Sequence, residues 1–188
     1  SHGSHEEHKA RIELIKSIRG RMNLPVAIML DTKGPEVRVR SFKEGRVTLK
    51  PGQLFTLTTE DIEGDENRVS ITYKNLPQDV KVGNAILIDD GLIGMVVEKI
   101  VGNDIVCRVN NAGVVSNNKG VNTPNVHLSM PFISPKDRED IIFAIDHGFE
   151  FIAASFTRSA EDIMQIRHIM AEKNCDSIGI IAKIENME

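Results

Sequence analysis

The hydrophobic positions of this chain change period twice. Between His5 and Met22, Ile12, Ile15, Ile18 and Met22 recur three and four apart, the stripe of an amphipathic helix that Gly20, Asn23 and Pro25 close. Val26 to Leu30 is apolar at every position, as in a strand covered on both faces of a parallel sheet, and it stops at Asp31-Thr32-Lys33-Gly34-Pro35. From Val37 onward short alternating or β-branched runs take over: Arg46 to Leu49, Leu54 to Thr58, Arg68 to Thr72, Ala85 to Ile88, Leu92 to Ile100 and Ile105 to Val109. Turn formers separate them, among them Pro51-Gly52, Gly64-Asp65, Val82-Gly83-Asn84, Asp90-Gly91 and Gly102-Asn103-Asp104. Many short strands at this spacing predict a small antiparallel barrel or sandwich from about Val37 to Leu128.

The helical period then returns. Ser134 is an N-cap, Pro135 fits the first helical position, Asp137 lies in the first turn, Ile141, Ile142 and Ile145 share a face, and Gly148 stops the helix. Phe151 to Ala154 reads as a buried strand. Ser159 caps a further helix with Ile163, Ile166 and Met170 inward, and Ile178 to Ala182 makes a third strand. Strands alternating with helices imply a parallel sheet, either doubly wound or a (β/α)8 barrel. Three such strands cannot close a barrel of eight, which takes about 250 residues. The expected fold is therefore α/β: part of a (β/α)8 TIM barrel, residues 1–36 and 129–188, with a small all-β barrel domain, residues 37–128, inserted.

Composition narrows the partners. The 188 residues are 40% hydrophobic and 27% charged, with 23 basic and 27 acidic residues interspersed for a net charge of −4. Without a basic stripe, nucleic acid is not an expected partner. No apolar run approaches the roughly 20 residues of a membrane span, and no secretory pattern opens the chain, so a cytoplasmic setting is expected and no membrane partner. Cys107 and Cys175 lack CxxC spacing and read as structural thiols. His2, His5 and His8 recur three apart, but Glu6 and Glu7 between them fit a polar helix start better than a ligand set.

In either α/β architecture chemistry collects beyond the carboxyl ends of the strands. Those tips are polar: Asp31, Thr32, Lys33, Glu36 and Arg38; then Ser155 and Arg158; then Lys183, Glu185 and Asn186. Lys183 and Glu185, two apart on extended backbone, point to the same side, where a carboxylate can hold Mg²⁺ and an ammonium can neutralise charge growing on oxygen. A surface ion pair is the plainer alternative. Asp31 to Glu36 could ligate a hard cation or be an ordinary exit turn. Neither GxxxxGK[ST] nor a GxGxxG opening a helix is present, so nucleotide phosphates would need another holder. Asn118-Lys119-Gly120 offers one lysine for that, or is a solvated loop.

Taken together, Ser1-His2-Gly3-Ser4-His5-Glu6, Asp31-Thr32-Lys33-Gly34-Pro35-Glu36-Val37-Arg38, Ile88-Asp89-Asp90-Gly91-Leu92-Ile93, Lys119-Gly120-Val121-Asn122 and Ala182-Lys183-Ile184-Glu185-Asn186 resemble pyruvate kinases, in the family's order and across the whole chain. The resemblance implies a barrel interrupted after its third strand by a β domain, an active site in the cleft between, and transfer of phosphate from phosphoenolpyruvate to ADP in glycolysis, giving pyruvate and ATP with Mg²⁺ and K⁺. By motif match Lys183 stabilises the transition state, Glu185 is one of two Mg²⁺ carboxylates, and Ser1, Asp31 and Thr32 are K⁺ ligands. Arg38 and Lys119, with His2 beside them, meet the nucleotide phosphates, and Asp90 faces the cleft. Glu36 marks the members that need K⁺, since a lysine there can stand in for the ion. A homotetramer is implied for the parent enzyme.

Two departures qualify this. The Arg and Asn that precede the Ser1 position in the family fall outside the sequence, and the second Mg²⁺ carboxylate is expected beyond Glu188, so the 188 residues alone are not expected to turn over. Arg38-Val39-Arg40 replaces the family's commoner Arg-Thr-Gly. The alternatives are a nucleotide-binding β module without catalysis, and a structural piece that associates through uncovered apolar faces.

Overall fold

The computed structural model describes residues 3–185. In chain order the elements are α1 (His5–Met22), β1 (Met29–Asp31), β2 (Val37–Arg38), β3 (Arg46–Leu49), β4 (Leu54–Thr58), β5 (Arg68–Ser70), α2 (Leu76–Asp79), β6 (Ala85–Ile88) and β7 (Ile93–Val101). There follow β8 (Asp104–Val109), β9 (Gly113–Ser116), β10 (Gly120–Asn122), α3 (Pro135–Asp146), β11 (Phe151–Ala154), α4 (Ala160–Glu172) and β12 (Gly179–Ala182). They form two compact units, an α/β unit of residues 3–35 and 131–185, and a β unit of residues 36–130.

Each long helix of the α/β unit starts on a serine that satisfies orphan amides. Ser4, Ser134 and Ser159 accept from the third helical residue, and Glu7, Asp137 and Asp162 return the bond to the cap backbone. Asn23 ends α1 in the left-handed region at φ 51°. The strands β1, β11 and β12 form a parallel sheet in the order β1-β11-β12, with Leu30 opposite Ile152 and Ile152 opposite Ile180. Ile152 and Ala154 pack with Ile141, Ile166, Ile169 and Met170 of the helices to make the core. This is part of a (β/α)8 barrel. The first strand differs from its expectation, running over Met29–Asp31 rather than from Val26, with Met29 exposed and only Ile28 before it buried. Among the described residues β1 has β11 on one side and no strand on the other, so it forms an edge of the sheet.

The β unit is built by period-two burial. Phe55, Leu57, Val69, Ile71, Ile86, Ile88, Ile93, Met95, Val97, Ile105, Cys107 and Val109 all point inward. Seven of its strands form one sheet in the order β2-β10-β6-β7-β8-β4-β5, antiparallel except for the parallel pair β4 and β5. The two edges of that sheet meet. Val39, just past β2, bridges Ile71, just past β5, and Arg40 N donates to Ser70 O (2.8 Å) while Thr72 N donates to Arg38 O (2.9 Å). Closure removes the exposed edges and makes the inserted domain a small barrel, flanked by the β3–β9 ribbon. Four elements, β2, β9, β10 and α2, were not among those expected from the sequence.

Candidate functional site

In the α/β unit the three strand tips bring their polar residues together. Thr32 N donates to Ala153 O (3.0 Å) and Lys183 N to Ala154 O (3.0 Å), which extends the parallel pairing to the residues just beyond each strand. At the centre stands the Lys183 ammonium, 3.0 Å from Asp31 Oδ1, 2.9 Å from Ser155 Oγ and 3.6 Å from Glu185 Oε1. Burial, the largest influence, pulls the Lys183 pKa down. The hydrogen bond to Asp31 and the charges of Asp31 and Glu185 together outweigh it, so the pKa lies above the ordinary 10.5. Lys183 is thus a fixed cation at every physiological pH.

Ser155, 3% exposed, is the hub of this cluster. Its Oγ lies 2.6 Å from Thr32 O and 3.1 Å from Asp31 Oδ1, and its N donates to Thr32 Oγ1 (3.1 Å). Glu185 Oε2 accepts from Phe156 N (2.8 Å), and Phe156 itself sits at φ 56° in the bend after β11. On the other side, Lys33 N and Gly34 N donate to Asp137 Oδ1 (3.1 and 3.3 Å). Gly34 is at φ +68°, and a Cβ there would meet Ser155 O at 2.5 Å, so this turn requires glycine twice over. Arg158, named with the strand tips, is paired instead with Asp162 (3.5 Å).

The oxygens present fit part of a hard-cation set. Asp31 is 61% exposed along its side chain, and its Oδ2 takes no hydrogen bond among the described residues. A magnesium ion keeps several waters and takes one or two protein carboxylates plus substrate phosphates, which suits Glu185. Among the described residues no group of three or more His, Cys, Asp and Glu side chains is gathered as a metal cage. Ser1 and His2 lie outside the described residues. His5 makes its own contact, Nε2 to Asp140 Oδ1 at 2.6 Å, and stacks on Phe143 (4.4 Å).

In the β unit, β2 and β10 pair with Gly120 opposite Arg38, so Lys119, just before β10, lies beside the end of β2, its carbonyl accepting from Val39 N (2.9 Å). Arg38 Nη2 pairs with Glu36 (2.7 Å) and its Nη1 donates to Asn118 O (2.7 Å), while Lys119 Nζ pairs with Asp89 Oδ1 (3.0 Å). The Glu36 hydrogen bond raises the Arg38 pKa further, against burial, and the charges of Glu36 and Asp90 add to it. Asp89 and Asp90 both occupy the left-handed region (φ 55° and 53°) in the turn between β6 and β7. Asp89, the carboxylate partner of Lys119, was not singled out from sequence. Arg40 shares the exposed face of Arg38 and lies 3.8 Å from Asp61, beside Ser41, Glu63 and Asn118 in an open cavity of about 400 Å³.

A partial (β/α)8 barrel carrying an inserted β barrel, with a lysine and carboxylates gathered at the strand tips, defines an α/β-barrel protein of enzymatic type. The comparisons carry this further. Residues 1–188 match the family model described as pyruvate kinase, barrel domain. A pyruvate kinase of Clostridium acetobutylicum is 47% identical over 189 residues, covering 100% of this chain and 40% of that protein. One of Staphylococcus saprophyticus is 45% identical over 190 residues, covering 100% of this chain and 32% of its own length. The crystal structure of a pyruvate kinase from Cryptosporidium parvum superposes with a TM-score of 0.86 at 37% identity, over 98% of this chain and 39% of that one. The chain belongs to the pyruvate kinase family, and it spans about two fifths or less of the length of these relatives.

Proposed function

We propose that this chain supplies part of the catalytic apparatus of a phosphotransferase that moves phosphate from phosphoenolpyruvate to ADP, giving pyruvate and ATP. The observation that carries the reading is the Lys183 ammonium, held by Asp31 and Ser155 and flanked by Glu185 at the tips of three parallel strands. Phosphoryl transfer asks little covalent chemistry of a protein; it asks for positioned charge. Lys183 is fixed from two sides and stays cationic, so it can orient the bridging and enolate oxygens and stabilise the negative charge that develops there.

Glu185 would hold Mg²⁺, and Asp31 with Thr32 would hold K⁺, alongside Ser1. When bound, these ions neutralise charge on the transferring phosphoryl group. Glu185 is oriented for its part by Phe156 N, and Thr32 by Ser155. On the β unit Arg38 and Lys119 take the nucleotide phosphates, with His2 as a further contact. Asp90, whose charge favours the Arg38 cation, lies in the turn beside this pair. The reading extends to a cytoplasmic, homotetrameric enzyme of glycolysis, supported by family resemblance.

The test follows phosphorus by ³¹P NMR in the protein carrying this chain, with phosphoenolpyruvate, ADP, Mg²⁺ and K⁺, each omitted in turn. Conversion that needs all four supports the proposal, and conversion indifferent to K⁺ removes Asp31 and Thr32 from it. A second reading, nucleotide binding by the β unit alone, is favoured by Arg38 and Lys119 lying within that one unit. ADP titrated against the amide shifts of residues 36–130 decides it, since shifts that bypass Lys119 would eliminate the module.

A further inference from the structure

Helices α3 and α4 open in the same way, each with a buried aspartate at the third helical position, Asp137 at 2% and Asp162 at 4% exposure. A capping box needs one carboxylate oxygen. In Asp137 that oxygen is Oδ2, which accepts from Ser134 N (3.2 Å) and Ser134 Oγ (2.6 Å). Asp162 Oδ2 likewise serves its own loop, accepting from Ser159 N (3.3 Å) and Arg158 N (2.9 Å). The two aspartates then part company. Asp137 Oδ1 instead reaches the turn after β1, which precedes the insertion in sequence, and accepts from Lys33 N (3.1 Å) and Gly34 N (3.3 Å), a contact that capping α3 does not require.

The consequence is set by peptide geometry. Lys33 N and Thr32 O belong to one peptide plane, and in a trans peptide the N–H and C=O point in opposite directions. Fixing the Lys33 N–H on Asp137 therefore turns the Thr32 carbonyl away from α3, where Ser155 Oγ meets it at 2.6 Å. A carbonyl has two lone pairs, so one remains for a cation after Ser155 has taken the other. The buried negative charge on the N–H side also polarises that peptide and makes its oxygen a stronger ligand.

We propose that Asp137 is a positioning residue for the monovalent-cation site of Asp31 and Thr32, acting on one of its two ligands by setting the aim of the Thr32 carbonyl through the Lys33 and Gly34 amides. The inference rests on the reading of Asp31 and Thr32 as cation ligands. Two variants separate this role from helix capping. Ser134→Ala removes the cap hydroxyl from Oδ2 and leaves the Oδ1 grip; Asp137→Asn takes away the charge that holds the two amides.

The experiment titrates K⁺ into the protein carrying this chain, reading the amide shifts of Asp31, Thr32 and Lys33, and in parallel measures amide exchange at Lys33 and Gly34. The expected result is faster exchange at both amides in D137N and a K⁺ affinity lower by about 10–100-fold, the usual effect of losing a group that orients a metal ligand. S134A is expected to lower the melting temperature while keeping the wild-type K⁺ response. Equal K⁺ affinity in D137N and wild type, or equal protection of Lys33 and Gly34, overturns the proposal. Should D137N not fold, Asp137→Glu, which keeps the charge but displaces it, makes the same decision by the same loss of affinity. A wild-type chain indifferent to K⁺ overturns the cation-ligand reading itself and the positioning role with it. That outcome is distinguishable, because the Lys33 and Gly34 amides of D137N then still lose protection.

Discussion

Replacing Ser155 by alanine is the sharpest perturbation of the strand-tip cluster. The hydroxyl carries one proton and can accept two bonds. With Thr32 O at 2.6 Å and Asp31 Oδ1 at 3.1 Å, the proton goes to Thr32, and the ammonium of Lys183 donates to the same oxygen from 2.9 Å. Ser155→Ala therefore deletes one neutral bond of about 1 kcal/mol and one charge-assisted bond whose upper range is about 3 kcal/mol. Lys183 is one-third exposed and regains water when released, so the second contribution falls to about 1 kcal/mol. The sum is about 2 kcal/mol, with little packing loss because a hydroxyl is small. Urea unfolding followed by far-ultraviolet circular dichroism measures it. A change below about 0.5 kcal/mol, the scatter of substitutions that touch nothing specific, would refute the assignment of Ser155 as the hub.

Other consequences can be checked on the same chain. Glu150 Oε1 pairs with Arg19 (2.8 Å) and its Oε2 accepts from Ile28 N (2.7 Å); the Arg19 hydrogen bond foremost, against burial and with help from Ile28, holds its pKa below the ordinary 4.5. The folded chain thus binds this proton less tightly than the unfolded one. Its stabilisation is complete above pH 4.5 and is lost as pH falls through the depressed value. Glu150→Gln should be less stable at neutral pH and show a weaker acid dependence, and an identical acid limb in urea titrations across pH would contradict this. Cys107 is fully buried, and burial first, then the charge of Glu98, pushes its thiol up to about 12, while Cys175 is half-buried. Only Cys175 should react with a thiol reagent in the native chain at mildly alkaline pH, with Cys107 following in denaturant. Mass mapping reads the outcome, and native labelling of Cys107 would show a core looser than described.

Where the fold was legible in the sequence, a local signal carried it. Helix α1 runs from His5 to Met22 as its stripe and caps indicate, and Ser134 and Ser159 start α3 and α4 because an N-cap needs only a neighbouring side chain. β3, β4 and β6 follow their alternation residue for residue. β2 is too short for any period to show, and β9 and β10 sit among glycine and asparagine that read as turns. Barrel closure depends on Val39 meeting Ile71, a pairing no local window contains.

The site divides along the same line. Asp31, Lys183 and Glu185 stood out because chemistry gathers at strand tips, and they do lie together. Ser155 was named with the strand tips, but its contact with Asp31 and the grip of Asp137 on the Lys33 and Gly34 amides each span more than a hundred positions, so no local window shows that these two side chains hold the site.

The central claim is that Lys183 supplies the positioned charge for phosphoryl transfer. Single-turnover transfer from phosphoenolpyruvate to ADP, followed by ³¹P NMR in the protein carrying this chain, tests it with Lys183→Met beside the wild type. The expected rate is lower by about 10²–10³, the cost of removing one preorganised charge-stabilising group, with ADP affinity unchanged because Arg38 and Lys119 are untouched. Transfer by the Lys183→Met protein at the wild-type rate would contradict it.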